Sequence, residues 1–307
     1  MRDLEFYQVD VFASEPFTGN PLAVIPDAEG LSPQQMQTIS AEMGLPETTF
    51  VIPSESDDAS FRLRIFTPTV ELPFTGHPAI GAIWVMANLG CVDLIEPITP
   101  LKYEQGVGLL EAEYHVEDGE VKKIMMSQMQ PVFLAELDSI GKLADGLGIN
   151  PDQISSTGLP VQVVSTGMPQ MIVPVKSLSA VRRLNAAEMD IPSLAKALDN
   201  VGTSFVQVFT TETMGTGVDV HCRGFGHLVG IPEDPATGSA NGALGAYMVR
   251  YGVVPTLGSP VRITSEQGIE MKRPSILHIE VDHDGGRPTA VRVGGQVVQV
   301  ASGVLRF

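Results

Sequence analysis

Two stretches of this chain repeat one another, and any fold for it has to house both. ELPFTGHPAIGAIWVMANLG, Glu71 to Gly90, set above EDPATGSANGALGAYMVRYG, Glu233 to Gly252, matches at Glu71/Glu233, Pro73/Pro235, Thr75/Thr237, Gly76/Gly238, Met86/Met248 and Gly90/Gly252. Further pairs follow in the same order: TGNPLAVIP (Thr18 to Pro26) with TGMPQMIVP (Thr166 to Pro174), and RIF (Arg64 to Phe66) with RGF (Arg223 to Phe225). One such match is weak, but several in order at similar offsets imply an internal duplication. A chain of 307 residues then divides into two domains of ordinary size. The repeat sets the boundary near residues 125 to 130. We expect domains at 1–128 and 129–289, with a strand at about 290–307 free to return to the first.

Within a half, strand and helix signals alternate. DLEFYQVDVF, FRLRIF and VQVVST read as strands from their alternation and their β-branched or aromatic content, as do SPVRITSEQG, SILHIEVD and AVRVGGQVVQV further on. SPQQMQTISAEMG reads as a helix with Ser32 as N-cap, Pro33 in the first turn, Gly44 as C-cap and Met36, Ile39 and Met43 on one stripe. PAIGAIWVMANLG and ANGALGAYMVRYG are apolar nearly all round, which marks helices enclosed by other elements. Their glycines and alanines lower helix propensity but let strands approach closely, so each is expected inside a curled sheet.

Composition narrows the function. At 43% apolar the chain folds, and a formal charge of -17 with no Lys/Arg run argues against nucleic acid. No stretch approaches the roughly 20 apolar residues of a membrane span, and MRDLEFYQVDVF is not patterned as a signal peptide. A cytoplasmic protein without a membrane partner is therefore expected. Cys91 and Cys222 lie in no CxxC and are expected as free thiols. His221, Cys222 and His227 invite a metal reading, but a strand would put Asp219, His221 and Arg223 on one face and Cys222 on the other, so no metal is expected. There is no G-x-G-x-x-G after a strand and no Walker loop, so no nucleotide cofactor is expected either.

Each enclosed helix opens at Thr-Gly. A helix start presents backbone N–H groups and a positive dipole end, and glycine lets a ligand come close, so each turn is a candidate anion pocket. The plain alternative is that Thr-Gly only caps the helix. His77 and Ser239 stand at equivalent places just after the two glycines, and Asp234 lies within reach of the second turn. Glu47, in GLPETTFVI, sits at a loop-to-strand edge from which side chains often enter a cleft, although most such glutamates are merely solvated.

Along nearly its whole length the chain resembles the PhzF-like family, named for a phenazine biosynthesis isomerase. The resemblance rests on YQVDVF, PFTGNPLAV, MQTISAEMGLPETTFV, RIFTPTVELPFTGHP, EDPATGSANGAL, SEQG with RPS, and VGGQVVQVASG. It implies an α+β, diaminopimelate epimerase-like fold, in which two pseudo-symmetric halves each wrap a mixed sheet around a central helix and the active site lies in the cleft between them. It further implies a cofactor-independent isomerase that forms a homodimer and acts on a small organic acid. Related epimerases use two cysteines, where this chain has Thr75 and Thr237. The PhzF resemblance implies instead one carboxylate as proton shuttle, which maps onto Glu47, with His77 and Asp234 as its catalytic companions. Asn20, Thr75, Gly76, Thr237, Gly238 and Ser239 are then expected at the substrate. RGFGHLVG departs from the family's R-M-F-A-P and KRPS from its G-R-P-S, which leaves the substrate open. A non-catalytic binding protein on the same scaffold is the alternative.

Overall fold

The alternating segments form strands, and the two all-apolar segments form buried helices. This is seen in a computed structural model of the chain, which describes residues 2–199 and 201–306. The elements in chain order are β1 (Asp3–Val11), β2 (Asn20–Ile25), α1 (Pro33–Met43), β3 (Glu47–Ile52), β4 (Arg62–Phe66), β5 (Glu71–Leu72), α2 (His77–Asn88), β6 (Ile98–Gln105), β7 (Gly108–Glu117) and β8 (Glu120–Ser127). Then follow β9 (Val132–Glu136), α3 (Gly141–Leu147), α4 (Asp152–Ser155), β10 (Gln162–Ser165), β11 (Pro169–Pro174), α5 (Leu178–Arg182), α6 (Ile191–Leu198), β12 (Val206–Thr210) and β13 (Val220–Gly226). The chain continues with β14 (Ile231–Asp234), α7 (Gly238–Arg250), β15 (Val261–Gln267), β16 (Ser275–Asp284), β17 (Arg287–Gly295) and β18 (Val297–Arg306). It divides into one unit of Met1–Ser127 with Gly294–Phe307 and a second of Gln128–Val293.

In the first unit β1 pairs antiparallel with both β18 and β2, β2 runs parallel to β3, β3 antiparallel to β4, β4 parallel to β6, and β6 to β8 form a meander. Helix α1 makes the crossover from β2 to β3. It starts with Ser32 and Gln35 capping each other's backbone and ends at Gly44 with φ 62. Its Met36 and Ile39 are buried in one cluster with Leu4, Ile25, Phe50 and Phe66. Helix α2 lies against β1, β2, β3, β4, β8 and β18, and only Trp84 and Asn88 of it escape full burial. Such enclosure is why its sequence shows no polar face.

The second unit repeats the order of strand directions. β10 is antiparallel to β9 and β11, β11 parallel to β12, β12 antiparallel to β13, β13 parallel to β15, and β15 antiparallel to β16. Helix α7 lies against β10, β11, β15 and β16 and buries every residue except Ser239 and Arg250. The crossover from β11 to β12 is larger than its counterpart. Together α3, α5 and α6 build a second core on the outer face, with Leu143, Leu147, Val181, Leu194 and Phe225 buried in it. No helix among the described residues is long and apolar enough to cross a membrane.

Candidate active site

In the first unit the expected site residues gather around the turn before α2. Gly76 is the N-cap, and no side chain caps this helix, so capping does not account for Thr75. Thr75 is held by its backbone: its N–H donates to Gln105 Oε1 at 3.1 Å, and Gln105 Nε2 donates back to the Thr75 carbonyl at 3.2 Å. The Thr75 hydroxyl is buried and makes no hydrogen bond. His77 is the first helical residue, and Glu47 the first residue of β3. Register brings them together, since Thr49 Oγ1 donates to the carbonyl of Pro78 at 3.3 Å.

Glu47 Oε2 and His77 Nε2 lie 3.2 Å apart, with both side chains largely buried. The pair is close but not aligned as a hydrogen bond, and neither atom has another partner. Asn20, fully buried at the start of β2, places Nδ2 3.5 Å from His77 Nδ1. Where Nδ1 accepts from that amide, the ring proton sits on Nε2, the atom that faces Glu47. Asn20, Glu47, Thr75, Gly76 and His77 are thus brought to one end of one unit.

The second unit builds the matching turn differently. Thr237 is the N-cap of α7, again without a side-chain cap. Its hydroxyl donates instead to Asp234 Oδ2 in a very short contact. Gln267 Nε2 donates to the Asp234 carbonyl at 2.8 Å and to Thr237 Oγ1 at 3.2 Å, while Gln267 Oε1 accepts from the Thr237 N–H at 3.4 Å and from Asn241 Nδ2 at 2.8 Å. Gly238 is buried and Ser239 half-buried in the first turn of α7. Asp234, Thr237, Gly238 and Ser239 are therefore neighbours. Cys222 lies beneath them, fully buried, its Sγ 3.2 Å from Ser265 Oγ, and burial pushes its thiol up to about 12. Cys91 is exposed, and neither cysteine stands at a Thr-Gly turn.

Both turns are braced from outside by one device. Arg64 grips Glu71 with two bonds of 2.7 Å, and Arg223 grips Glu233 in the same bidentate way at 2.7 Å. Each guanidinium also lies over an aromatic ring, Phe66 at 5.3 Å and Phe225 at 5.2 Å. His221 and Arg223 share a face of β13 as the alternation predicts, and Cys222 points the other way. His221 is fully buried between Glu266 Oε1 at 2.9 Å and Glu270 Oε1 at 3.4 Å. Burial opposes the charged ring, but the two carboxylates outweigh it and raise the pKa of His221 above the ordinary imidazole value. No cluster able to hold a metal ion is found among the described residues.

Gln105 and Gln267 are the site residues that sequence reasoning missed. The signal was present: both stand in an E-Q-G triplet, Glu104–Gly106 and Glu266–Gly268, at the same offset as Thr75 and Thr237.

Comparison with known proteins agrees with this architecture. A family model described as phenazine biosynthesis-like protein matches residues 9–303. The trans-2,3-dihydro-3-hydroxyanthranilate isomerase of Pseudomonas fluorescens is 34% identical, with 97% of each chain covered. The uncharacterized isomerase YddE of Escherichia coli K12 is 33% identical over 96% of this chain and 95% of its own. Among solved structures, a PhzF-family phenazine biosynthesis protein of Bacillus anthracis superposes with a TM-score of 0.88 at 28% identity over the full length of both chains. A hydroxyproline epimerase of Agrobacterium vitis, 14% identical with a TM-score of 0.66 over 99% of this chain and 91% of its own, shares the fold alone. With its doubled turn and its match from residue 9 to residue 303, this chain belongs to the phenazine biosynthesis-like (PhzC-PhzF) family.

Proposed function

We propose that the protein is an isomerase that moves a proton between two carbons of a small, carboxylate-bearing metabolite, with Glu47 as the single acid/base. One observation carries this reading. At the uncapped start of α2, Glu47 Oε2, His77 Nε2 and Thr75 Oγ1 are buried polar atoms without a hydrogen bond. Buried polar groups are paired almost everywhere in folded proteins, so such a cluster marks a place built for a ligand. The relative named as a trans-2,3-dihydro-3-hydroxyanthranilate isomerase supports the reaction class.

The chemistry follows from what the turns carry. Inverting a stereocentre requires a group on each face of the substrate, but neither turn holds a thiol. A proton shift along one face needs one base. Glu47 removes a proton from an activated carbon, becomes the neutral acid and returns the proton to a carbon two atoms away. His77, with its proton on Nε2, donates toward the charge that develops next to Glu47. In this reading the amide of Gly76 holds the substrate carboxylate or oxyanion beside Glu47, and Asn20 and Thr75 shape the surroundings; Asp234, Thr237, Gly238 and Ser239 form the matching turn of the second unit.

The test uses trans-2,3-dihydro-3-hydroxyanthranilate in deuterium oxide, with label uptake followed by mass spectrometry. Wild-type protein is expected to label the product at one carbon. Glu47→Gln is expected to lower the rate by at least about 100-fold with the melting temperature preserved. Undiminished turnover in that variant overturns the role of Glu47. A binding protein without catalysis would instead show ligand-dependent stabilisation and no label.

A further inference from the structure

We infer that Gln105 and Gln267 are positioning residues, which fix the two Thr-Gly turns in the geometry that proton transfer needs. The inference rests on the proton-transfer reading above. Its grounds are a brace that the molecule builds twice. In the first unit the Gln105 amide closes a ring on Thr75, accepting from its N–H at 3.1 Å and donating to its carbonyl at 3.2 Å. In the second, Gln267 accepts from the Thr237 N–H at 3.4 Å and donates to the Asp234 carbonyl at 2.8 Å. A primary amide offers an acceptor and a donor side by side on one planar head without having to gain or lose a proton. Both glutamines are buried, so neither serves as a solvated surface residue.

The flanking letters of the triplet complete the brace. Gly106 seats it against the preceding turn: a Cβ there would stand 2.9 Å from the Pro73 carbonyl. Gly268 does the same in the second unit, where a Cβ would meet the Pro235 carbonyl at 2.5 Å and where φ is +76. The glutamates hold the other side. Glu104 Oε2 accepts from Ser54 Oγ at 2.7 Å and the Glu55 N–H at 2.9 Å, and Glu266 accepts from the Met214 N–H at 2.6 Å and the Gly215 N–H at 2.9 Å. Each triplet therefore ties a hairpin loop to a Thr-Gly turn. The peptide planes that open α2 and α7 are set by a rigid strand end instead of by the loop that contains them. Preorganised donors are effective only while their direction holds, and a misplacement of about 1 Å can cost on the order of 100-fold in rate.

The experiment compares full-length wild type with Gln105→Leu, Gln267→Leu, Gln105→Glu and Gln267→Glu by NMR-detected amide exchange at neutral pH. Leucine fills the space without either hydrogen bond, whereas glutamate keeps the acceptor. In the leucine variants the amide of Thr75 or Thr237 is expected to exchange at least about fivefold faster while the interior of α2 or α7 keeps its protection; in the glutamate variants the amide stays protected. Unchanged exchange at Thr75 and Thr237 in the leucine variants overturns the brace, and so does loss of protection in the glutamate variants while their helices remain protected. In the deuterium-uptake assay the leucine variants are expected to lose kcat by about 100-fold with little change in KM, and full kcat in both overturns the positioning role. Amide exchange needs no turnover, so failure of the brace is distinguishable from failure of the proton-transfer reading, which wild type and Glu47→Gln decide.

Discussion

Thr75 and Thr237 occupy the same place in two copies of one turn and live in different surroundings. The difference comes from one neighbour: EDPATG supplies Asp234, and ELPFTG has Leu72 in its place. The Thr237 hydroxyl consequently has a carboxylate acceptor and an amide donor, and that of Thr75 has no hydrogen bond. Replacing each by valine removes the hydroxyl with little change of shape. Thr237→Val leaves Asp234 and Gln267 short of a partner and is expected to cost about 1 to 3 kcal/mol, whereas Thr75→Val is expected to be neutral or slightly stabilising. Urea denaturation of the two variants checks this. Equal losses would mean that the Thr75 hydroxyl has a stabilising partner after all.

At the scale of elements, α2 and α7 are fitted into their sheets through single glycines. A Cβ on Gly81 would lie 2.5 Å from Leu22 Cδ2 and 2.9 Å from Val11 Cγ2, and one on Gly245 would lie 2.5 Å from Ile279 Cγ2. Valine at either place forces a helix away from strands that already close on it. The expected loss is about 2 to 3 kcal/mol in each, read from the urea midpoint. These helices were legible because a segment apolar on every side has few places to go. Glu47 was legible as a loop-to-strand edge, and the doubled Thr-Gly as the start of each enclosed helix. The short helices α3 to α6 were not. Helix α6 buries Ser193, Leu194, Ala197 and Leu198 on one side of only eight residues, too short for a helical period to stand out. The glutamines were missed for another reason: their partners lie thirty residues away in sequence, and only strand register brings them together.

Over the whole molecule, an acidic chain with a charge of -17 encloses a buried charged trio in its second unit. The pKa of His221 is raised, so its contribution to stability is full below the ordinary imidazole value of 6.5 and is lost as pH climbs through the folded value. For Glu270, burial acts upward but the His221 hydrogen bond and charge prevail, and its pKa is lowered; its contribution is present above 4.5 and fades on acidification. The trio therefore supports the fold most strongly between those two values. The stability gap between wild type and His221→Gln is expected to narrow as pH rises above the ordinary imidazole value. A gap that stays constant as pH rises would show that the ring does not exchange its proton between the folded and unfolded states there.

The paired Arg64–Glu71 and Arg223–Glu233 grips have a consequence for how such a chain can change. They hold the two turns from outside, on side chains that are not Leu72, His77, Asp234 or Ser239. The housing is shared and its contents are not, much as one socket accepts unlike tools. Substitutions at those four positions leave both grips in place, so the frame of each turn outlasts changes in what the turn presents.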